Sequence, residues 1–416
     1  MYNILYTLTT ENKVFHFNNV KTLLYVISNM GEKPYKLALM MIVKNESAVI
    51  AETLRIISKN FSPDYWVISD TGSTDNTKDV ITDTMKELGI PGRFADKAWV
   101  DFSTNRNHVL QEATKDAEYI ILFDADDGFV GDFKMPELVA DMYHMQTKFT
   151  DISYYRPLII SSRCKWKWYG VLHEYIDCID HHPTIVQLSG DYNVIPNRVS
   201  GARSEDPHKY FKDGLVFEKA LIDETTPKHL ISRYTYYTGQ SYKDAERMDR
   251  AIEFFKKATQ LSGWTEEKYM SCMYLGNHYF SNNDIVDALY WYMKAPEFSP
   301  HRVEWALAAI NCLPDAAGVA KLGILTSISA NVIATPSTGN YYLIDTKAHT
   351  VYFINNIIHL SCSCGKYDIA CEYLYAQSKM KIYLTEKDIN SLKINIEFVK
   401  NHINNPLINK CLKLLE

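Results

Sequence analysis

The tetrapeptide Asp124-Ala125-Asp126-Asp127 follows the apolar run Tyr119-Ile120-Ile121-Leu122-Phe123. Such a run reads as a buried strand, so three carboxylates emerge together at its carboxyl end. In open α/β sheets, ligands bind at that end of the strands. Carboxylates crowded there repel one another unless a cation joins them, and Mg²⁺ or Mn²⁺ suits an all-oxygen donor set. An acidic strand-to-loop turn with no ligand is the alternative reading of these four residues. A second apolar run, Trp66-Val67-Ile68-Ser69, ends at Asp70 and leads into Thr71-Gly72-Ser73-Thr74-Asp75-Asn76-Thr77. Gly72 permits a tight turn. The hydroxyls and Asp75 can cap a following helix, whose free N–H groups attract anions such as phosphate. A plain loop with a capped helix would use the same residue types.

Alternating elements must hold these residues in place. Residues 37–43 form a continuous apolar strand, followed by a helix capped by Asn45 or Ser47, with Val49, Ile50, Leu54 and Ile57 on one face. Ser73 or Thr74 opens a second helix, with Val80, Ile81, Met85 and Leu88 on one face. A strand near Phe94, a helix over 105–113 and the strand before Asp124 complete the series. Strands alternating with helices predict a largely parallel sheet, which puts Asp70 and Asp124 at the same edge. Residues 151–160, 164–168 and 174–179 read as short aromatic-rich strands, the antiparallel half of the same domain. Residues 190–207, with Gly, Pro, Asn and Ser, read as loop. Residues 1–34 read as a β-rich or mixed extension.

Beyond residue 208 the chain turns helical and repetitive. Tyr237, Gly239, Tyr242, Ala251, Lys257 and Ala258 recur 37 positions later as Tyr274, Gly276, Tyr279, Ala288, Lys294 and Ala295. Small residues at fixed places let paired helices approach, the logic of a tetratricopeptide-type unit. Residues 352–377 read as a weaker third copy, with Gly365 at its turn and Ala370 in the small position. Such arrays form binding surfaces and carry no chemistry of their own.

The chain has 416 residues, enough for two or three domains, and 46% hydrophobic residues, enough for ordinary globular cores. A net charge of −6 argues against nucleic acid as the main partner. Eight scattered cysteines are sparse for a disulfide scaffold and read as reduced thiols. Cys362-Ser363-Cys364 resembles half a metal clip, without a matching pair at zinc-site spacing. No signal peptide and no spanning helix are expected, which predicts a cytoplasmic protein.

The stretch Met41-Ile42-Val43-Lys44-Asn45-Glu46, then Ser69 through Thr77, then Asn105-Arg106-Asn107, then Phe123-Asp124-Ala125-Asp126-Asp127 resembles, in order and spacing, the motifs of family 2 glycosyltransferases. Gly170-Val171-Leu172-His173-Glu174-Tyr175 and the trailing repeats are similar to the branch that joins a family 2 catalytic domain to a tetratricopeptide tail. So are Gly201-Ala202-Arg203-Ser204 through His208-Lys209-Tyr210, and Gly263-Trp264-Thr265-Glu266-Glu267. The resemblance implies an α/β fold: an A-type, Rossmann-like nucleotide-sugar domain with a mixed sheet over 35–207. An all-α tetratricopeptide-like domain over 208–416 follows it.

The resemblance also implies roles. Glu46 and Asp70 contact the nucleoside, with Asp70 on the base, and Asp75 fixes that loop. Val43, Asn45, Gly72, Ser73 and Ala125 complete the nucleotide-sugar site. Arg106 meets the diphosphate, Asp124 the ribose side, and Asp126 the divalent metal (Mn²⁺ or Mg²⁺), with Asp124 and His208 as further ligand candidates. Glu174 is the candidate general base and Asp127 the next. This branch has His-Glu where much of the family has Glu-Asp. His173 could bind metal or acceptor. Trp166 and Trp168 could stack on a sugar, or be core and rim of a strand. The donor is a nucleotide sugar, a UDP-sugar favoured. The acceptor is a glycan, a lipid-linked sugar, a protein or a peptide, and the repeats offer a surface for a partner or a second copy.

Two rival readings stand beside this one. A strand followed by Asp-x-Asp also resembles a haloacid-dehalogenase phosphatase, but that pattern wants Thr or Val where this chain has Gly128. The other is an interaction protein whose transferase domain is inactive.

Overall fold

The computed structural model describes residues 6–10, 13–17, 35–149, 152–196, 206–327, 344–345, 352–379 and 384–415. Two compact units divide the chain. The first comprises Met1–Thr147 and Tyr155–Pro207, the second Lys148–Tyr154 and His208–Glu416.

In the first unit, strands β1 (Tyr6–Thr10) and β2 (Lys13–Phe17) pair as an antiparallel hairpin. The main sheet begins with β3 (Tyr35–Val43), β4 (Tyr65–Asp70), β5 (Gly92–Phe94) and β6 (Ala117–Leu122). It continues with β7 (Asp127–Val130), β8 (Met142–Phe149) and β9 (Ile152–Ser161). Strands β10 (Trp166–Tyr169) and β11 (Tyr175–Cys178) form a separate antiparallel hairpin. Strands β12 (Ile185–Leu188) and β13 (Asn193–Pro196) return to the main sheet. Its order is β5-β4-β3-β6-β9-β8-β13-β7, with β12 paired to β8.

The two-residue period of β3 explains the layering. Leu37, Leu39, Met41 and Val43 enter one core, while Ala38 and Met40 enter the other. Helices α1 (Ile50–Phe61) and α2 (Thr77–Glu87) cover the first face through Ile50, Leu54, Ile57, Phe61, Ile81 and Met85. Helix α3 (Phe102–Asp116) covers the second through Val109, Leu110 and Ala113. A sheet buried on both faces accounts for the near-continuous apolar runs. From β3 the chain moves outward through β4 and β5, then returns to β6 on the opposite side of β3. All three pairings are parallel. That reversal is the switch point where α/β folds bind ligands, and Asp70 and Asp124 flank it.

Several local expectations change. Helix α1 starts after Val49 with no side-chain cap, because Asn45 and Ser47 are committed to the neighbouring loop. Helix α2 begins at Thr77 rather than at Ser73 or Thr74, since the Ser73 hydroxyl accepts from the Asn45 amide instead. Residues 193–196, read as loop, are a strand because Val194 is buried and pairs with both β7 and β8. Gly201-Ala202-Arg203-Ser204 lies outside the described residues.

The second unit is helical. Its early helices are α4 (Lys209–Ile222), α5 (Ile231–Asp244), α6 (Met248–Gln260), α7 (Thr265–Ser281) and α8 (Ile285–Lys294). The 37-residue repeat is visible in packing. A side chain on Gly239 of α5 would reach within 2.9 Å of the Phe255 ring on α6. One on Gly276 of α7 would reach within 2.4 Å of the Tyr292 ring on α8. Both glycines let the next helix's aromatic ring seat against bare backbone. Helices α9 (Glu304–Asn311), α10 (Gly318–Thr326), α11 (Phe353–Ser363), α12 (Tyr367–Lys379), α13 (Glu386–Lys400) and α14 (Pro406–Leu415) follow. The α11–α12 turn holds Gly365 at φ 64°, and Ala370 is buried. Among the described residues, no helix is long and apolar enough to cross a membrane.

Candidate active site

Two loops lie side by side beyond β3 and β4. Asp70 is buried, and its Oδ1 accepts from the amides of Gly72 and Ser73, both at 2.7 Å. Gly72 takes φ 111°, a conformation that favours glycine and closes this turn. The Asp70 Oδ2 atom is buried with no hydrogen-bond partner among the described residues. A buried unpaired carboxylate oxygen is costly, and a donor from a ligand would satisfy it. The loop after β3 is laced to this turn. The Thr74 amide donates to Asn45 Oδ1 at 2.7 Å, the Glu46 amide to Thr77 Oγ1 at 2.8 Å, and the Ser47 amide to Asp75 Oδ2 at 3.2 Å. Burial would raise the Asp75 carboxyl, but hydrogen bonds from Thr77 and Ser47 outweigh it and bring the group down to about 2. Asp75 therefore stays ionised and holds the two loops together. Val43 is buried behind them, its carbonyl accepting from the Thr71 amide and hydroxyl.

The acidic turn follows β6. Arg106 of α3 donates from Nη2 to Asp124 Oδ1 at 2.6 Å and from Nε to Glu174 Oε1 at 2.6 Å. Arg156 of β9 donates to Asp124 Oδ2 at 3.4 Å and forms an ion pair with Asp127. Asp124 keeps 37% of its side chain exposed, whereas Asp127 is buried. Burial opposes ionisation of Asp124, yet Arg106 and Arg156 hold it below the ordinary carboxylate range. Asp127 is pushed the other way: burial and the Asp124 and Asp126 carboxylates raise it against the pull of Arg156. Ala125 turns its carbonyl to the Thr53 hydroxyl of α1 at 2.8 Å, anchoring the turn between the two aspartates. Asp126 is half-buried at that turn.

The β10–β11 hairpin brings Glu174 to this cluster. Asn107 clasps its backbone, accepting from the Trp168 amide at 2.8 Å and donating to the Trp168 carbonyl at 2.9 Å. The Trp168 ring lies 5.0 Å from the Arg106 guanidinium, a cation–π contact. Asn105 has a different task, holding the backbone at Lys97, Ala98 and Val100. His173 is exposed at the hairpin tip with φ 47°, a strained conformation for a residue with a Cβ. Trp166 is core, its indole N–H bonded to the Ser161 carbonyl at 2.7 Å. His208 belongs to the second unit, where it precedes α4.

Residues 38–183 match the family model for Glycosyl transferase family 2. This stretch is a family 2 glycosyltransferase domain. Among solved structures, the chain is similar to TarS of S. aureus, with 12% identity over 61% of this chain and 54% of that one at a TM-score of 0.30. It therefore spans only about half the length of that protein. TarS 1–349 in complex with UDP-GlcNAc aligns at 12% identity over 63% of this chain and 91% of that chain, TM-score 0.29. A mannosyltransferase from Pyrobaculum calidifontis, in complex with GDP-Man and Mn²⁺, aligns at 13% identity over 58% and 83%, TM-score 0.32. No curated protein matches the chain.

Within the family 2 domain, Arg156 escapes sequence reasoning, because an arginine in the aromatic strand Ile152–Ser161 carries no motif. Only the strand register of the folded sheet places it. Strand β6 pairs antiparallel with β9 through Tyr119↔Ser161 and Ile121↔Ile159, and continuing it sets position 156 opposite 124. Asp124, Asp126 and Asp127 offer only oxygen, the donor type a hard divalent cation takes, while Arg156 already engages Asp124 and Asp127.

Proposed function

We propose that this chain transfers a hexose from a nucleotide-diphosphate sugar, a UDP-sugar by preference, to an acceptor hydroxyl or related nucleophile, with inversion. The observation that carries the reading is Arg106. Within a family 2 domain, one guanidinium joins Asp124 beyond β6 to Glu174 at the tip of the hairpin. The candidate donor side and the candidate base thus share one buried cation.

Asp70 Oδ2 would accept from an N–H of the base. Arg106 and Arg156 hold Asp124 ionised and oriented, and Arg106 sets a fixed positive charge where the leaving diphosphate would develop negative charge. Glu174 would take the acceptor's proton. Asp126 and Asp124 would hold Mn²⁺ or Mg²⁺, which when bound neutralises the leaving group. The division into a catalytic part over 35–207 and a tetratricopeptide-type array over 208–416 belongs to this proposal, the array serving as a surface for a glycan, lipid-linked or protein acceptor or a second copy. Eight free cysteines support work in a reducing, cytoplasmic setting.

A panel of nucleotide sugars, assayed for release of nucleoside diphosphate with Mn²⁺ and with chelator, tests this. Turnover of at least one donor, lost with chelator and lost in Asp126→Ala while circular dichroism stays unchanged, is the expected result. If no donor turns over and no nucleoside diphosphate binds by calorimetry, the chain is an interaction protein with an inactive transferase domain.

A further inference from the structure

A second cluster lies apart from the Asp124 turn. Cys164, Cys178 and His181 bring one ligand atom each within 4.8 Å of one another. They meet because the register of the hairpin sets Trp166 opposite Cys178, so Cys164 stands just before one strand while Cys178 ends the other. His181 follows three residues on. Its Nδ1 lies 3.6 Å from Cys178 Sγ, and its Nε2 lies 3.8 Å from Cys164 Sγ. Ligands of one tetrahedral zinc stand roughly 3.5–3.8 Å apart, given Zn–S near 2.3 Å and Zn–N near 2.0–2.1 Å; one zinc takes one ring nitrogen, so each sulfur meets that spacing at a different nitrogen and a small turn of the His181 ring brings both to one.

Two carboxylates close the cluster. Asp141 Oδ1 lies 3.2 Å from Cys164 Sγ, and its Oδ2 lies 3.4 Å from His181 Nε2. Asp180 Oδ1 lies 2.9 Å from Cys178 Sγ and 3.0 Å from His181 Nδ1. Whichever ring nitrogen takes a metal, the other faces a carboxylate, the arrangement that orients a ligating histidine. Cys164 is buried, while the His181 side chain is 33% exposed, which leaves an entry path. A divalent cation would release the thiol protons to solvent as the metal–sulfur bonds form.

We propose that Cys164, Cys178 and His181, with a carboxylate of Asp141 or Asp180, form a zinc site that staples the base of the β10–β11 hairpin. The thiolates select zinc over the hard cation expected at Asp126. The staple ties the hairpin to Asp141, which precedes β8, and so steadies the loop carrying Glu174. The site stands whether or not the chain transfers a sugar.

The full chain, expressed with zinc in the medium and passed through gel filtration, is analysed for metal. It is then reconstituted with Co²⁺ alone. The expected result is about one zinc per chain and a thiolate-to-cobalt charge-transfer band. Both are lost in Cys178→Ser with His181→Ala and kept in Asp126→Ala. Wild-type protein decides the matter even if the double variant fails to fold. Wild type without zinc and without the cobalt band overturns the site, and so does a Cys164–Cys178 disulfide found after non-reducing purification.

Discussion

Two arginine–carboxylate clusters serve opposite ends in this molecule. In the helical unit, Arg302 pairs with Glu266 at 2.9 Å and Glu304 at 2.6 Å, and Arg233 pairs with Glu267 at 2.7 Å. The Arg302 side chain is 2% exposed, and its guanidinium also lies over the Tyr269 ring. Burial raises Glu267 to about 7, despite Arg233. In that cluster Arg302, Glu266 and Glu267 are buried. The family 2 domain sets two arginines, 106 and 156, against Asp124, Asp126, Asp127 and Glu174, and leaves Asp124 accessible. The same chemistry fixes a helix array where the paired groups are buried. It leaves a carboxylate open to solvent at Asp124, where a ligand can reach it.

The largest effect expected from breaking this contrast is kinetic. Glu174→Gln keeps an acceptor for Arg106 and removes the basicity, so transfer should fall by about 10²–10⁴-fold while donor binding changes little. Loss of the acidic limb in the pH–rate profile separates a base from a residue that only positions Arg106. Near-normal transfer would move the base to Asp127.

Next in size is a stability effect. Arg302→Met removes a buried cation that pairs with Glu266 and Glu304 and should cost about 3–5 kcal/mol, read as a shifted urea midpoint. A change below about 1 kcal/mol would class the cluster with exposed ion pairs. Asp70→Ala should weaken donor binding by on the order of 1–3 kcal/mol, since it removes the acceptor a base N–H would use. An unchanged donor KM removes Asp70 from the pocket. The smallest effect concerns Glu267. Its raised carboxyl favours the protonated folded form, so its contribution to stability is present at acidic pH and lost as pH rises toward about 7. Glu267→Gln should flatten that slope in melting curves taken across the range, and an unaltered slope assigns it to another group.

The sheet and the acidic strand ends were legible because apolar runs, period and turn residues are local signals. Asp70 and Asp124 needed only a parallel sheet to reach the same edge. The caps were not legible, since Asn45, Ser47 and Ser73 could bond either their own helix or the adjacent loop, and only the packed loops decide. Arg156 and the Cys164–Cys178–His181 cluster depend on strand register, which no spacing in the chain announces. Strand β13 was hidden by its loop-like composition and is held by pairing on two sides. The repeat showed itself through Gly239 and Gly276 because backbone contact tolerates no larger residue there.

The clasp of Asn107 on Trp168 has a use in measurement. The Trp168 amide hydrogen is held by a side chain of α3 rather than by the neighbouring strand of its hairpin. Its exchange with deuterated solvent therefore reports undocking of the hairpin from the helix, while amides within the β10–β11 ladder report fraying of the hairpin itself. One backbone proton thus separates two motions of the segment that carries Glu174.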